Sequence, residues 1–161
     1  MMTERFGRPA VLIGHSLGGA AVLAAAAQLP DIRAAVTIGA PSDPGHVLHL
    51  IDDADLEHIE AHGRAEVQLA GRPFAVQKQF LTDVCKQNLP GIIGGLDRPI
   101  LVMHSPIDNT VGIDNAREIY EAARHPKSFV SIDGADHLLT SPEDAQFASE
   151  IIAAWASRYI D

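Results

Sequence analysis

The chain has 161 residues, 47% hydrophobic and 20% charged, the make-up of a single folded domain and not of a disordered segment. Twelve Lys and Arg against 21 Asp and Glu give a net charge of −9, which argues against nucleic acid or an anionic membrane as the main partner, since both need a basic surface. No apolar run approaches the roughly 18 residues of a membrane span, and Met1–Pro9 carries two Arg but no apolar core, so neither a span nor a signal peptide is expected.

Ala10 to Ile13 is a short, continuously apolar run ending at Gly14, the pattern of a strand buried on both faces. Gly18 to Leu29 is nearly all Ala, Val and Leu. Its length and Ala content predict a helix stopped by Pro30, apolar all round and so buried on more than one side. Ala34 to Ile38 is the next strand, closing in Gly39-Ala40-Pro41.

Between Ser42 and Leu96 the strand–helix alternation lapses. His46 to Ile51, Leu56 to His62 and Phe80 to Leu89 read as helical. Glu66 to Leu69 and Phe74 to Gln77 flank Ala70-Gly71-Arg72-Pro73 and predict a small hairpin, and Gly91, Gly94 and Gly95 predict a turn. Apolar anchors persist throughout, so residues 42–96 are expected to be an inserted cap or lid within one domain spanning 1–161.

The alternation then resumes with a strand at Pro99 to His104, a helix at Ile113 to Ala123, a strand at Ser128 to Ile132 and a helix at Pro142 to Tyr159. In the last, Phe147, Ile151, Ala154, Trp155 and Arg158 repeat at helical spacing, and Pro142 takes the first turn. Four parallel strands with helices between them make an α/β domain.

Gly14-His15-Ser16-Leu17-Gly18 fits G-x-S-x-G between a strand and a helix, the context of a nucleophile on a strained turn. Glycines at 14 and 18 leave that turn room, and Gly19 adds more. The N–H groups opening the following helix favour a developing oxyanion. A lone Ser in this place is otherwise a helix N-cap.

A serine needs a base to take its proton and an acid to orient that base. Asp108 follows the strand ending at His104, and His137 follows the strand ending at Ile132. The order Ser, acid, His and the positions at strand C-terminal ends put all three on one rim. Each alone has a plainer reading, Asp108 as a turn residue and His137 as a surface loop histidine. Among rivals, Asp114 falls inside a helix, while Asp133 and Asp136 stand too close along the chain to reach around the His137 ring.

Other candidates carry less. His58 and His62 stand four apart, but H-E-x-x-H requires Glu directly after the first His and no third ligand is evident, so a solvated helix face is expected. His46 and His49 read as surface or lid residues. His15 is open to either a substrate contact or a packing role. Cys85, the sole cysteine, allows no internal disulfide, reads as a small buried apolar residue, and fits a reducing cytoplasm.

With these residues in place the chain resembles the α/β-hydrolase superfamily. More narrowly, the stretches Val11-Leu12-Ile13-Gly14-His15-Ser16-Leu17-Gly18-Gly19-Ala20-Ala21-Val22, Gly39-Ala40-Pro41-Ser42-Asp43-Pro44, His104-Ser105-Pro106 followed by Asp108, and His125-Pro126-Lys127-Ser128-Phe129-Val130 resemble the α/β-hydrolase family often fused to an OsmC-like domain. The resemblance runs from about residue 10 to 160. It implies Ser16 as nucleophile, Asp108 as acid, His137 as base and the N–H of Leu17 as an oxyanion donor.

Two departures stand out. Many relatives carry Gly where this chain has Ser105, and family members have about four strands before the nucleophile strand, whereas this chain begins almost at it. The expected fold is therefore the C-terminal half of an α/β-hydrolase fold, N-terminally truncated, without the loop that supplies a second oxyanion N–H. The strand at 10–13 would then keep an unpaired edge, and a homo-oligomer joined there is expected.

Three functional readings follow. The first is a serine hydrolase cleaving small acyl esters or thioesters, weak if one oxyanion donor is missing. The second is a noncatalytic half-domain with an assembly or binding role. The third keeps the site and changes the acceptor, giving acyl transfer or perhydrolysis. None calls for a metal or other cofactor.

Overall fold

The computed structural model describes residues 8–69 and 72–160. In chain order these form β1 (Val11–His15), α1 (Leu17–Gln28), β2 (Ala34–Ile38), a 3₁₀ helix (Pro44–Leu50), α2 (Asp53–His62), β3 (Arg64–Leu69), β4 (Arg72–Gln77), α3 (Lys78–Lys86), α4 (Leu89–Gly95), β5 (Ile100–His104), α5 (Asp114–Ala122), β6 (Lys127–Ser131) and α6 (Pro142–Ala156). They divide into two compact units, Asp43–Asn88 and the rest.

The larger unit is built on a parallel sheet in the order β1-β2-β5-β6. The central strands are the most apolar, and all of Ile100–His104 is buried, as a strand covered on both faces requires. Alternate side chains divide between two cores. Ala35, Ile100 and Val102 pack with Ala20, Leu23 and Ala26 of α1, Leu89 and Ile93 of α4, and Ala116 and Ile119 of α5. Val36, Leu101 and Met103 face Ala148, Ile151, Ile152 and Trp155 of α6. Because every strand runs the same way, the segments after β1, β2, β5 and β6 all leave from one rim of the sheet.

Several expectations change in detail. Residues 10–13 do not form a strand buried on both faces: among the described residues β1 pairs only with β2, and Ile13 is 53% exposed. The Ala-rich helix buries one side, through Gly19, Ala20, Leu23 and Ala26, while Ala21 and Ala27 face outward. Gly91, Gly94 and Gly95 lie in or end a short helix, α4, and not a turn, because Leu89 and Ile93, one turn apart, anchor it in the core. That helix belongs to the larger unit, so the separate unit is 43–88 and not 42–96.

In α6 the inward stripe is Ala148, Ile151, Ile152 and Trp155, with Phe147, Ala154 and Arg158 turned out. The small Ala148 lets the helix lie close, and Trp155 donates its Nε1–H to Ser128 Oγ at 3.1 Å. The helix start is as expected, with Pro142 in the first turn and Ser141 Oγ accepting the Asp144 N–H.

The unit at 43–88 has its own core of Ile51, Ile59, Val67, Val76 and Leu81. Gly63, in the left-handed conformation, ends α2 and leads into the antiparallel pair β3–β4. Pro73 lies within β4 opposite Gln68 instead of in the turn, and Ala70-Gly71 lie outside the described residues. Cys85 is exposed, not buried. Among the described residues no helix is long and apolar enough to cross a membrane.

Candidate active site

The turn after β1 is shaped by close backbone packing. A Cβ on Gly14 would lie 2.1 Å from the Gly18 carbonyl oxygen, and one on Gly19 would lie 2.5 Å from the Ala40 Cβ. Gly18 itself faces open space, so the tight positions are 14 and 19 and not 14 and 18. Ser16 at the apex has φ 55° and ψ −130°, a strained conformation for a residue with a side chain. Its N–H is tied to the Ile38 carbonyl at 2.8 Å, which fixes the apex to the end of β2.

The Ser16 hydroxyl makes no capping bond to α1. It lies 3.0 Å from His137 Nε2, and His137 Nδ1–H donates to Asp108 Oδ2 at 2.7 Å. Three side chains drawn from the segments after β1, β5 and β6 thus form one hydrogen-bonded line. Leu17 opens α1, so its N–H precedes the first intrahelical acceptor.

Asp108 is held firmly in that line. Its other oxygen, Oδ1, accepts the N–H groups of Thr110 and Val111 at 2.8 and 2.9 Å, and its side chain is only 2% exposed. Burial alone would raise its carboxyl pKa, but the His137 hydrogen bond, the two backbone N–H groups and the His137 charge outweigh it and hold the carboxyl below 3.8. His104, fully buried, donates Nε2–H to the Val111 carbonyl at 2.8 Å.

The rival carboxylates go elsewhere. Asp136 accepts the N–H and hydroxyl of Thr140, which hold its carboxyl below the ordinary value, and so staples the loop beyond His137. Asp133 accepts from Ser131 Oγ, and Asp114 pairs with Arg117 on the surface of α5. His15 turns its Nε2–H to the carbonyl of His137 at 2.6 Å. In the smaller unit His58 and His62 stack at 4.2 Å with His62 Nδ1–H on the His58 carbonyl, and His46 meets His49 edge-on. Among the described residues no group of three or more His, Cys, Asp or Glu is placed to hold a metal.

One member escaped the sequence reading. Gly39, with φ 55°, lies where a Cβ would stand 3.3 Å from Asp108 Oδ2 and 3.4 Å from His137 Nδ1. The available signal was its position, a glycine at the C-terminal end of the strand beside the Ser16 strand.

The chain matches no protein-family model and no curated protein. Among solved structures it is similar to the esterase domain of a protein from Rhodothermus marinus, with 49% identity, a TM-score of 0.87, and 99% of this chain covering 65% of that one. It is similar in fold to mouse alpha/beta hydrolase domain-containing protein 10 (19% identity, TM-score 0.71, 98% of this chain and 66% of that one). The fold also matches Est1E from Butyrivibrio proteoclasticus, solved with ferulic acid bound (18% identity, TM-score 0.71, 91% of this chain and 58% of that one). The chain thus spans under two thirds of the length of each. The four-stranded parallel sheet with flanking helices that it shares with these structures is an α/β-hydrolase fold.

Proposed function

We propose that this chain is a serine hydrolase that cleaves esters of small acyl groups through an acyl-enzyme. The observation that carries the reading is the line from Ser16 Oγ to His137 Nε2 and from His137 Nδ1 to Asp108 Oδ2, at 3.0 and 2.7 Å. The likeness to a structure described as an esterase domain supports it.

His137 Nε2 takes the Ser16 proton as Oγ attacks the ester carbonyl, and the N–H of Leu17 at the start of α1 receives the oxyanion. The tetrahedral adduct collapses, His137 returns the proton to the departing alkoxide, and the acyl group stays on Ser16. His137 then takes a proton from water, whose oxygen attacks the acyl carbon, and Ser16 leaves with that proton while the acid is released. Asp108 remains ionised throughout and holds the imidazole in the tautomer with hydrogen on Nδ1.

The test is incubation of the protein with a fluorophosphonate probe beside Ser16→Ala, read as the mass of the intact protein, together with hydrolysis of p-nitrophenyl acetate. One adduct and turnover on the wild type, both absent in Ser16→Ala, is the expected result. A folded wild type with neither overturns the reading and favours a binding role for the fold.

A further inference from the structure

The segment that carries His137 is irregular. Gly134 and Leu139 on either side of it both have positive φ, at 79° and 51°, so this backbone does not follow a regular ladder that would fix it. Yet His137 must meet partners at 3.0 and 2.7 Å on two other segments. Two side-chain donors reach this loop from those same segments. Ser105 Oγ, three residues before Asp108, donates to the Ala135 carbonyl at 2.6 Å, with both residues buried. His15 Nε2–H, one residue before Ser16, donates to the carbonyl of His137 itself at 2.6 Å.

Neither bond is incidental to its donor. Ser105 Oγ also accepts the Ile107 N–H at 3.3 Å, so the hydroxyl that grips Ala135 also shapes the turn into Asp108. The His15 ring lies 4.9 Å from the His137 ring, tilted by 46°, and its Nε2–H grips the backbone of the residue it flanks. Carbonyls two residues apart on one loop are thus held from the two segments that supply the other members of the line.

We propose that His15 and Ser105 are positioning residues that clamp the His137 loop to the Ser16 and Asp108 segments, setting the His137 ring in register with both partners. The proposal rests on the reading of Ser16, His137 and Asp108 as the catalytic line. Neither residue touches the reacting atoms. Each acts through the placement of His137, where an error of about 1 Å costs on the order of 10²-fold in rate.

The test compares wild type, His15→Phe, His15→Gln and Ser105→Ala in p-nitrophenyl acetate turnover, with active sites counted by fluorophosphonate adduct at completion. Loss of a clamp should lower kcat per labelled site by about 10-fold while KM and the labelled fraction stay put. His15→Gln, whose amide retains an N–H donor near the Nε2 position, should recover most of the loss. His15 lies at the surface, so His15→Phe remains decisive even if Ser105→Ala folds poorly. A fall confined to the labelled fraction, or wild-type kcat per site in His15→Phe, overturns the clamp alone. Absence of any Ser16 adduct on the wild type overturns the reading of the site, and the clamp with it.

Discussion

Gly39 and Asp108 meet closely: a Cβ at Gly39 would stand 3.3 Å from Asp108 Oδ2, tighter than side chains ordinarily pack, on the oxygen that receives His137. The backbone there also has φ 55°, which a residue with a Cβ adopts only under strain. Gly39→Ala should therefore leave the fold intact, lower stability by about 1–2 kcal/mol, and slow fluorophosphonate labelling of Ser16 by roughly 10-fold, since the carboxylate need give by only a few tenths of an ångström. Wild-type labelling by a folded Gly39→Ala would show that the Asp108–His137 contact tolerates displacement.

The depressed carboxyl of Asp108 makes a signed prediction about acid. A group whose folded pKa is lowered contributes stability that is fully present above its unfolded value, here 3.8, and is lost as pH falls through the lower folded value. Stability of the wild type should thus fall on acidification below about pH 4, and Asp108→Asn should show a shallower fall across the same window. The same substitution removes the acceptor that sets the His137 tautomer, so turnover at neutral pH should drop by roughly 10⁴-fold. Urea unfolding from pH 2 to 7 and ester hydrolysis at pH 7 check the two halves separately.

What the sequence disclosed followed from where a residue's role is local. Ala34–Ile38 is found at the bounds its composition predicts, because a short apolar run between turn residues has one economical conformation in a parallel sheet. That Ser16, Asp108 and His137 meet in one hydrogen-bonded line was legible because each sits at a strand end and the motif fixes their order. The three glycines of α4 misled, since their turn preference yields to burial of Leu89 and Ile93. In α6 the 3.6-residue repeat puts Phe147 on the inward stripe, but the sheet takes the smaller Ala148 instead. Gly39, and the bonds from Ser105 to Ala135 and from His15 to His137, end on backbone or empty space far away in sequence. No side-chain pattern encodes such partners.

Thr37 gives a test of the core that is independent of the chemistry. Its side chain is fully buried on β2, and its Oγ1 has no hydrogen-bond partner among the described residues. A buried hydroxyl without a partner costs free energy, and valine has the same branched shape without it. Thr37→Val should raise stability by about 1 kcal/mol, read as a higher urea midpoint at unchanged slope. A lower midpoint would mean that the hydroxyl is satisfied by a bound water.

Ser42 ties the end of the β2 segment to α5 through Asn115 and Glu118. Its N–H donates to Asn115 Oδ1 at 3.0 Å, and its hydroxyl lies 2.6 Å from Glu118 Oε2 and 3.0 Å from Asn115 Oδ1. Asn115 in turn donates Nδ2–H to the Gly112 carbonyl at 2.9 Å, next to the turn that holds Asp108. Ser42 is buried, so a lost acceptor leaves its N–H unpaired, whereas Glu118 is exposed and can be rehydrated. Asn115→Ala should cost about 1–3 kcal/mol, and Ser42→Ala about 1 kcal/mol. Glu118→Gln, which keeps an acceptor oxygen, should cost less than either. Urea midpoints for the three variants decide the ranking, and a Glu118→Gln loss as large as that of Asn115→Ala would place the weight of this junction on the carboxylate charge.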